Sequence, residues 1–174
     1  ELVEMMSRDL LLAELVEVFS DFPYVLEAQR YVPVCAIMTL LARPAIVGAC
    51  PGFLFDGSTP GAGKSKQTDA ISIIARGRYA ARMFYPVLEE ELQKLMAGYA
   101  LEGAQFVSWD NVEVPFDSPT LNAYFTAQDT IKVRLLGTPL TPEVAWRGVV
   151  LANGVNMRVW GHCTRRVLIS RIEP

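Results

Sequence analysis

With 174 residues, 51% of them apolar and 20% charged, the chain has the size of one ordinary domain and the apolar surplus of a buried parallel sheet flanked by helices. Its formal net charge of −3 excludes a fold that binds nucleic acid through overall basicity, leaving a local basic patch or an assembled pore as the only routes. Cys35, Cys50, Cys163 and the single histidine, His162, lack metal-ligand spacing, which argues against a zinc site, and scattered thiols suit a reducing cytoplasm.

The longest apolar stretch, residues 31–49, carries Pro33, Arg43 and Pro44, so no membrane span is expected there. No signal-peptide pattern is visible either. In chain order, Ser7 reads as the N-cap of a helix reaching Phe19, with Leu11, Leu15 and Val18 on one face, ended by Ser20-Asp-Phe-Pro23. A second, apolar helix is expected over 27–41, ending before Arg43-Pro44. A strand over 52–55 enters a glycine-rich loop, and a helix follows from Lys64 to about Ala75, closed near Gly77. A short strand over 79–85, a helix over 89–100 with Leu92, Leu95, Met96 and Tyr99 at helical spacing, and a buried strand over 105–109 come next. The remaining expectations are a short helix over 120–128 and strands over 131–136, 147–152 and 166–172. Alternating strands and helices predict an α/β three-layer sandwich with a mostly parallel, five-stranded sheet.

The loop carries the strongest chemical signal. Phe53-Leu-Phe55 leads into Asp56-Gly-Ser-Thr59-Pro60-Gly61-Ala62-Gly63-Lys64-Ser65-Lys66. Glycines let backbone N–H groups turn toward phosphate oxygens where a Cβ would obstruct, and the helix start adds unpaired donors and its dipole. Lys64 has the reach for the β- and γ-phosphates of ATP, and the Ser65 hydroxyl suits a Mg²⁺ shell. The first glycine of the G-x-x-x-x-G-K-[ST] pattern falls on Ser58, so the match is a near variant of the P-loop, and the plain alternative is a glycine turn before a surface lysine.

Three further elements follow in order. The strand ending Phe106-Val-Ser-Trp-Asp110-Asn111 offers Asp110 to hold Mg²⁺, as an acid at a strand end beside the loop does in P-loop enzymes. Asn111 stands where many ring-forming ATPases place a glutamate; an amide orients a water but cannot take its proton, and Asp56 and Glu113 are the alternative bases. In Val149-Val-Leu-Ala-Asn153-Gly-Val-Asn156, either asparagine could contact the γ-phosphate or the attacking water, against the alternative of an ordinary Asn-Gly turn. Arg165 and Arg166, before the last strand, are suited to stabilising a transferring phosphoryl group from a neighbouring subunit, or they are solvated surface charges.

Together, Thr59-Pro-Gly-Ala-Gly-Lys-Ser65, Asp110-Asn-Val112, Leu151-Ala-Asn-Gly-Val-Asn156 and Thr164-Arg-Arg-Val167 resemble the NTPase core of phage, prophage and plasmid primase-helicase proteins, an AAA+ group related to superfamily III replicative helicases. Asp21-Phe-Pro23, Arg43-Pro-Ala45 and Arg134-Leu-Leu-Gly137 extend the resemblance over most of the chain. It implies an AAA+-like P-loop ATPase core over 51–174 with an N-terminal helical segment over 1–50 packed on it. It further implies ATP and Mg²⁺ as ligands, a homo-oligomeric ring, a hexamer by analogy, and DNA, either single-stranded or duplex, as partner. Lys64 and Ser65 would bind phosphate and metal, Asp110 the metal, Asn153 or Asn156 would act as sensor, and Arg165 or Arg166 as the finger. Two departures stand out: Val155 separates Gly154 from Asn156 where the group more often has adjacent asparagines, and His162 lies where an acid is expected. The helical lid and any primase part of such proteins would follow Pro174, so the chain reads as one core of a longer protein.

In related helicases a hairpin between the metal-binding and sensor strands points into the ring pore, and Lys132 and Arg134 occupy that interval here; a core strand with a basic face is the competing expectation. Arg76, Arg78 and Arg82 form another basic cluster, facing a subunit, DNA or solvent. Three function classes therefore remain: a DNA-translocating ATPase, an AAA+ switch or loader that hydrolyses ATP poorly, and a P-loop small-molecule kinase.

Overall fold

Six buried residues in a row, Gly52–Gly57, form the first strand (β1) at the centre of the molecule. An unbroken apolar run of this kind is what a strand covered on both faces requires. The computed structural model describes residues 8–135, 137 and 139–174. Its main sheet has five strands in the order β2-β3-β6-β1-β7, with β2 at Met83–Phe84, β3 at Phe106–Asp110, β6 at Val149–Val155 and β7 at Val167–Ile172. All four pairings are parallel.

Residue alternation along β1 and β6 divides the interior into two cores. Phe53, Phe55, Val149 and Leu151 face one way, onto α1 (Arg8–Glu17), α2 (Tyr31–Ala42) and α3 (Lys64–Arg76), where they meet Phe19, Ile37 and Ile71. Leu54, Val150 and Ala152 face the other way, onto α4 (Glu89–Leu101) and α5 (Pro119–Thr126), where they join Met96, Trp109, Phe116, Phe125 and Trp146. Each fully buried large side chain contributes about 1.5–3 kcal/mol. Helices on both faces of a parallel sheet give the three layers read from the sequence.

Several elements differ in extent. Ser7 lies outside the described residues. Helix α1 buries Val16, with Leu15 partly covered, while Leu11 stays exposed because α2 covers only one stripe of it; Val18, in the turn after the helix, is exposed too. The second helix begins as a 3₁₀ turn, Glu27–Arg30, and Pro33 sits in the first turn of α2, where a missing N–H is harmless. The strand expected over 79–85 shrinks to Met83–Phe84, an exposed sheet edge.

The strand expected over 131–136 is only Thr130–Lys132 (β4). It pairs antiparallel with Glu143–Ala145 (β5) in a two-stranded sheet of its own, which corrects the expectation of a core strand. Leu136 lies outside the described residues. The strand expected to end at Ala152 runs on through Asn153 and Gly154 to Val155, so the Asn-Gly pair is strand, not turn. Partners on both sides explain this: Asn153 and Gly154 align with Phe55 and Asp56 of β1, and the Asn153 carbonyl accepts the Val112 N–H at 2.9 Å.

Candidate functional site

The carboxyl ends of β1, β6 and β3 lie side by side, and the loops that leave them enclose a cleft of about 350 Å³. In open α/β sheets ligands bind at this edge. Pro60, Gly61, Gly63, Lys64, Ser65 and Lys66 line one side, and Asp110, Asn111, Asn153 and Val155 the other.

The loop after β1 turns through Gly61 and Gly63, whose φ angles of +79° and +105° are strained for any residue with a Cβ. Gly63 is also the N-cap of α3, and its carbonyl accepts the Lys66 and Gln67 N–H groups at 2.9 and 3.2 Å. Helix geometry leaves the Lys64 and Ser65 N–H groups without intrahelical partners at the cleft wall. Lys64 is only 7% exposed, and its ammonium donates to the Thr59 carbonyl at 2.8 Å, closing the loop on itself. Burial lowers its pKa from the ordinary lysine value, against the opposing pull of the Asp56 and Asp110 carboxylates.

Ser65 and Asp110 meet across the cleft, the hydroxyl donating to Asp110 Oδ1 at 3.5 Å. These residues are 45 apart in sequence and reach one another because β6 alone separates β1 from β3. Asn153 is 2% exposed, and its Oδ1 accepts the Asn111 N–H at 3.2 Å. Its Nδ2 is buried and has no hydrogen-bond partner. An orphaned buried amide costs about 1–3 kcal/mol, so a donor held on the cleft wall is suited to an anionic oxygen arriving from outside the chain.

The other expected residues divide. Asn111 takes a positive φ of 54° and donates from its Nδ2 to Glu113 Oε1 at 2.6 Å, which places that carboxylate beside it. Asn156 ties loops together instead of lining the cleft: its N–H donates to the Gly57 carbonyl, its Nδ2 to the Ser58 carbonyl, and its Oδ1 accepts from Arg171. Asp56 accepts the Met157 N–H at 2.9 Å and pairs with Arg171, so it is occupied as a base. Arg165 and Arg166 lie off the cleft, in and just after the 3₁₀ turn Gly161–Arg165. Arg166 donates to Asn122 Oδ1 at 2.6 Å, whereas Arg165 is exposed. Thr59 and Ala62 do not line the cleft, and Thr59 contributes through its carbonyl.

Gly154, Val155 and Arg171 escaped sequence reasoning as parts of the site. A Cβ on Gly154 would sit 2.6 Å from the Val112 carbonyl oxygen and 2.6 Å from Met157 Cγ, so only glycine lets the chain after Asp110 cross β6. Gly154→Ala should lower the unfolding free energy by about 1–3 kcal/mol, measured by urea denaturation, because backbone must move to admit the methyl. An unchanged midpoint would mean that the crossing is slack.

Among the described residues no group of three or more His, Cys, Asp or Glu could hold a metal, and no helix is long and apolar enough to cross a membrane. A serine hydroxyl with one carboxylate is nonetheless the usual protein share for Mg²⁺, which keeps several waters and takes its remaining ligands from phosphates.

No protein-family model and no curated protein matches the chain. A solved structure of JCV helicase, bound to N-(4-(2-(thiazolo[5,4-c]pyridin-2-yl)phenoxy)phenyl)acetamide, is similar over 95% of this chain and 50% of that one, with 14% identity and a TM-score of 0.50. A second JCV helicase structure covers the same shares at 14% identity with a TM-score of 0.44. The chain thus spans half the length of the helicase that it matches, and the likeness is one of fold alone, an α/β core with a five-stranded parallel sheet.

Proposed function

We propose that the chain is the ATP-hydrolysing core of a ring-forming, AAA+-like DNA helicase, of the kind found in primase-helicase proteins of phages and other mobile elements. The observation that carries this reading is the convergence of Ser65, Asp110 and the orphaned Asn153 amide beside the loop that ends in Lys64. A triphosphate tail would lie along Pro60, Gly61 and Gly63, with the Lys64 and Ser65 N–H groups and Lys66 at the helix start, while Thr59 and Ala62 shape the loop from outside the cleft. Lys64 would leave the Thr59 carbonyl for phosphate oxygen, exchanging a neutral acceptor for a charged one. Ser65 and Asp110 would hold Mg²⁺, which neutralises phosphate charge when bound. Asn153, not Asn156, is the sensor, its Nδ2 donating to phosphate or to the attacking water.

Asn111 cannot take the proton of that water, and Glu113, held against its amide, is the base in this reading. The β4–β5 hairpin, outside the main sheet with Lys132 on it and Arg134 just beyond, would track single-stranded DNA in the pore of a hexamer. The likeness to a JCV helicase supports the fold on which these roles are placed.

Asn111 also favours a second reading, an ATP-dependent switch or loader that turns over slowly and acts through protein partners. Steady-state ATPase assays with and without single-stranded DNA separate the two. Stimulation by DNA that is lost in the double variant Lys132→Ala, Arg134→Ala supports the motor. Nucleotide binding without turnover supports the switch, and turnover only with a small phosphate acceptor would make the protein a kinase.

A further inference from the structure

Two arginines at the far end of the sheet, Arg43 buried and Arg147 half-buried, lack acceptors for part of their guanidinium groups. Arg43 is 2% exposed; its Nη1 donates to the Ile46 carbonyl at 3.0 Å, while Nε and Nη2 are buried without partners. No carboxylate among the described residues pairs with it. Arg147 pairs with Asp129 through Nη2, and its Nη1 is likewise buried and unpaired. Both arginines line one cavity of about 210 Å³ with Leu40, Pro44 and Gln105.

Gln105 also lines a neighbouring cleft of about 690 Å³, where Arg76 and Arg78 stand with Phe106. Arg76 lies over the Phe106 ring at 4.5 Å, and neither it nor Arg78 has an acidic partner among the described residues. Arg82, the third member of that basic cluster, is tied back to Asp69 and to the Ser65 carbonyl. Four guanidinium groups and a single pairing acid thus gather where β3 and β6 begin, at the edge opposite the Ser65–Asp110 pair.

Burying a guanidinium without a counter-charge is costly, and natural chains keep one only where an anion or a hydrogen-bonding group completes it. Planar guanidinium forks match the paired oxygens of phosphate. The smaller cavity holds a single phosphate group but not a run of nucleotides, and the larger cleft beside it leaves room for further phosphates against Arg76 and Arg78. We infer that this edge is a second, separate oxyanion site that takes the terminal phosphate of a small polyphosphate ligand, with Arg43 and Arg147 as its inner donors.

The site is independent of the nucleotide cleft, so Lys64→Ala protein isolates it. Calorimetric titration of that variant with pyrophosphate should show one binding event, weakened at least tenfold by Arg43→Met and several-fold by Arg76→Ser with Arg78→Ser. The second variant changes only the outer cleft and serves if Arg43→Met fails to fold. Absence of binding to Lys64→Ala protein, or binding unchanged in the outer-cleft variant, overturns the inference. An oligothymidylate without terminal phosphate should not displace pyrophosphate; full displacement would overturn the assignment to a small ligand.

Discussion

The ATP affinity of Lys64→Ala protein is expected to fall by at least about a hundredfold, read by calorimetry in the presence of Mg²⁺. Lys64 is buried at the base of the loop, and its ammonium donates to the Thr59 carbonyl. A charged hydrogen bond to phosphate contributes about 1.5–3 kcal/mol, and a lysine that reaches two phosphate groups makes more than one. At 1.4 kcal/mol for each factor of ten, the hundredfold loss follows. The fold should survive, since among the described residues no carboxylate depends on Lys64 as its ion-pair partner. Unchanged affinity in a folded variant would refute the phosphate-binding role of residues 59–65.

Arg165→Ala should lower turnover by about a thousandfold while leaving ATP affinity within a factor of two, the signature of a group that acts only in the transition state. The contrast with its neighbour is structural. Arg166 is fixed by Asn122, so Arg166→Ala should cost about 1.5–3 kcal/mol of stability, the range for hydrogen bonds to charged groups. Arg165 is exposed at the end of its turn and away from its own cleft, where the proposed ring would bring it to the cleft of a neighbouring subunit. Mixing Arg165→Ala with Asp110→Asn subunits should restore part of the activity, because each interface needs one intact residue from each side. Failure of the mixture to recover would argue against a shared site, and equal turnover loss in Arg166→Ala protein of unchanged stability would reassign the finger.

The parts of the site written in local sequence were legible. Phe53-Leu-Phe55 announces a strand covered on both faces, Gly61 and Gly63 announce backbone that only glycine adopts easily, and the run Phe106–Trp109 delivers Asp110 to the same sheet edge. Contacts made across the chain were not. Asn153-Gly154 reads as a turn because its strand continuation depends on β1 and on the Val112 crossing, neither of which lies nearby in sequence. Arg165 and Arg166 are indistinguishable until Asn122, 44 residues away from Arg166, claims one of them. Strand β5 is three residues long after Thr141-Pro142, too short for any period to show. The burial of Arg43 was not legible, since arginine is ordinarily a surface residue and its burial follows from the packing of α2 against the sheet.

Backbone amide mapping by ¹⁵N NMR, during titration with a non-hydrolysable ATP analogue and Mg²⁺, examines the nucleotide cleft directly in a chain of 19.3 kDa. Shifts should concentrate at residues 59–66, Asp110, Asn111 and Asn153, with Lys64 and Ser65 among the largest. Shifts confined to the Arg76–Phe106 edge, with residues 59–66 silent, would contradict a triphosphate cradle beside Asp110.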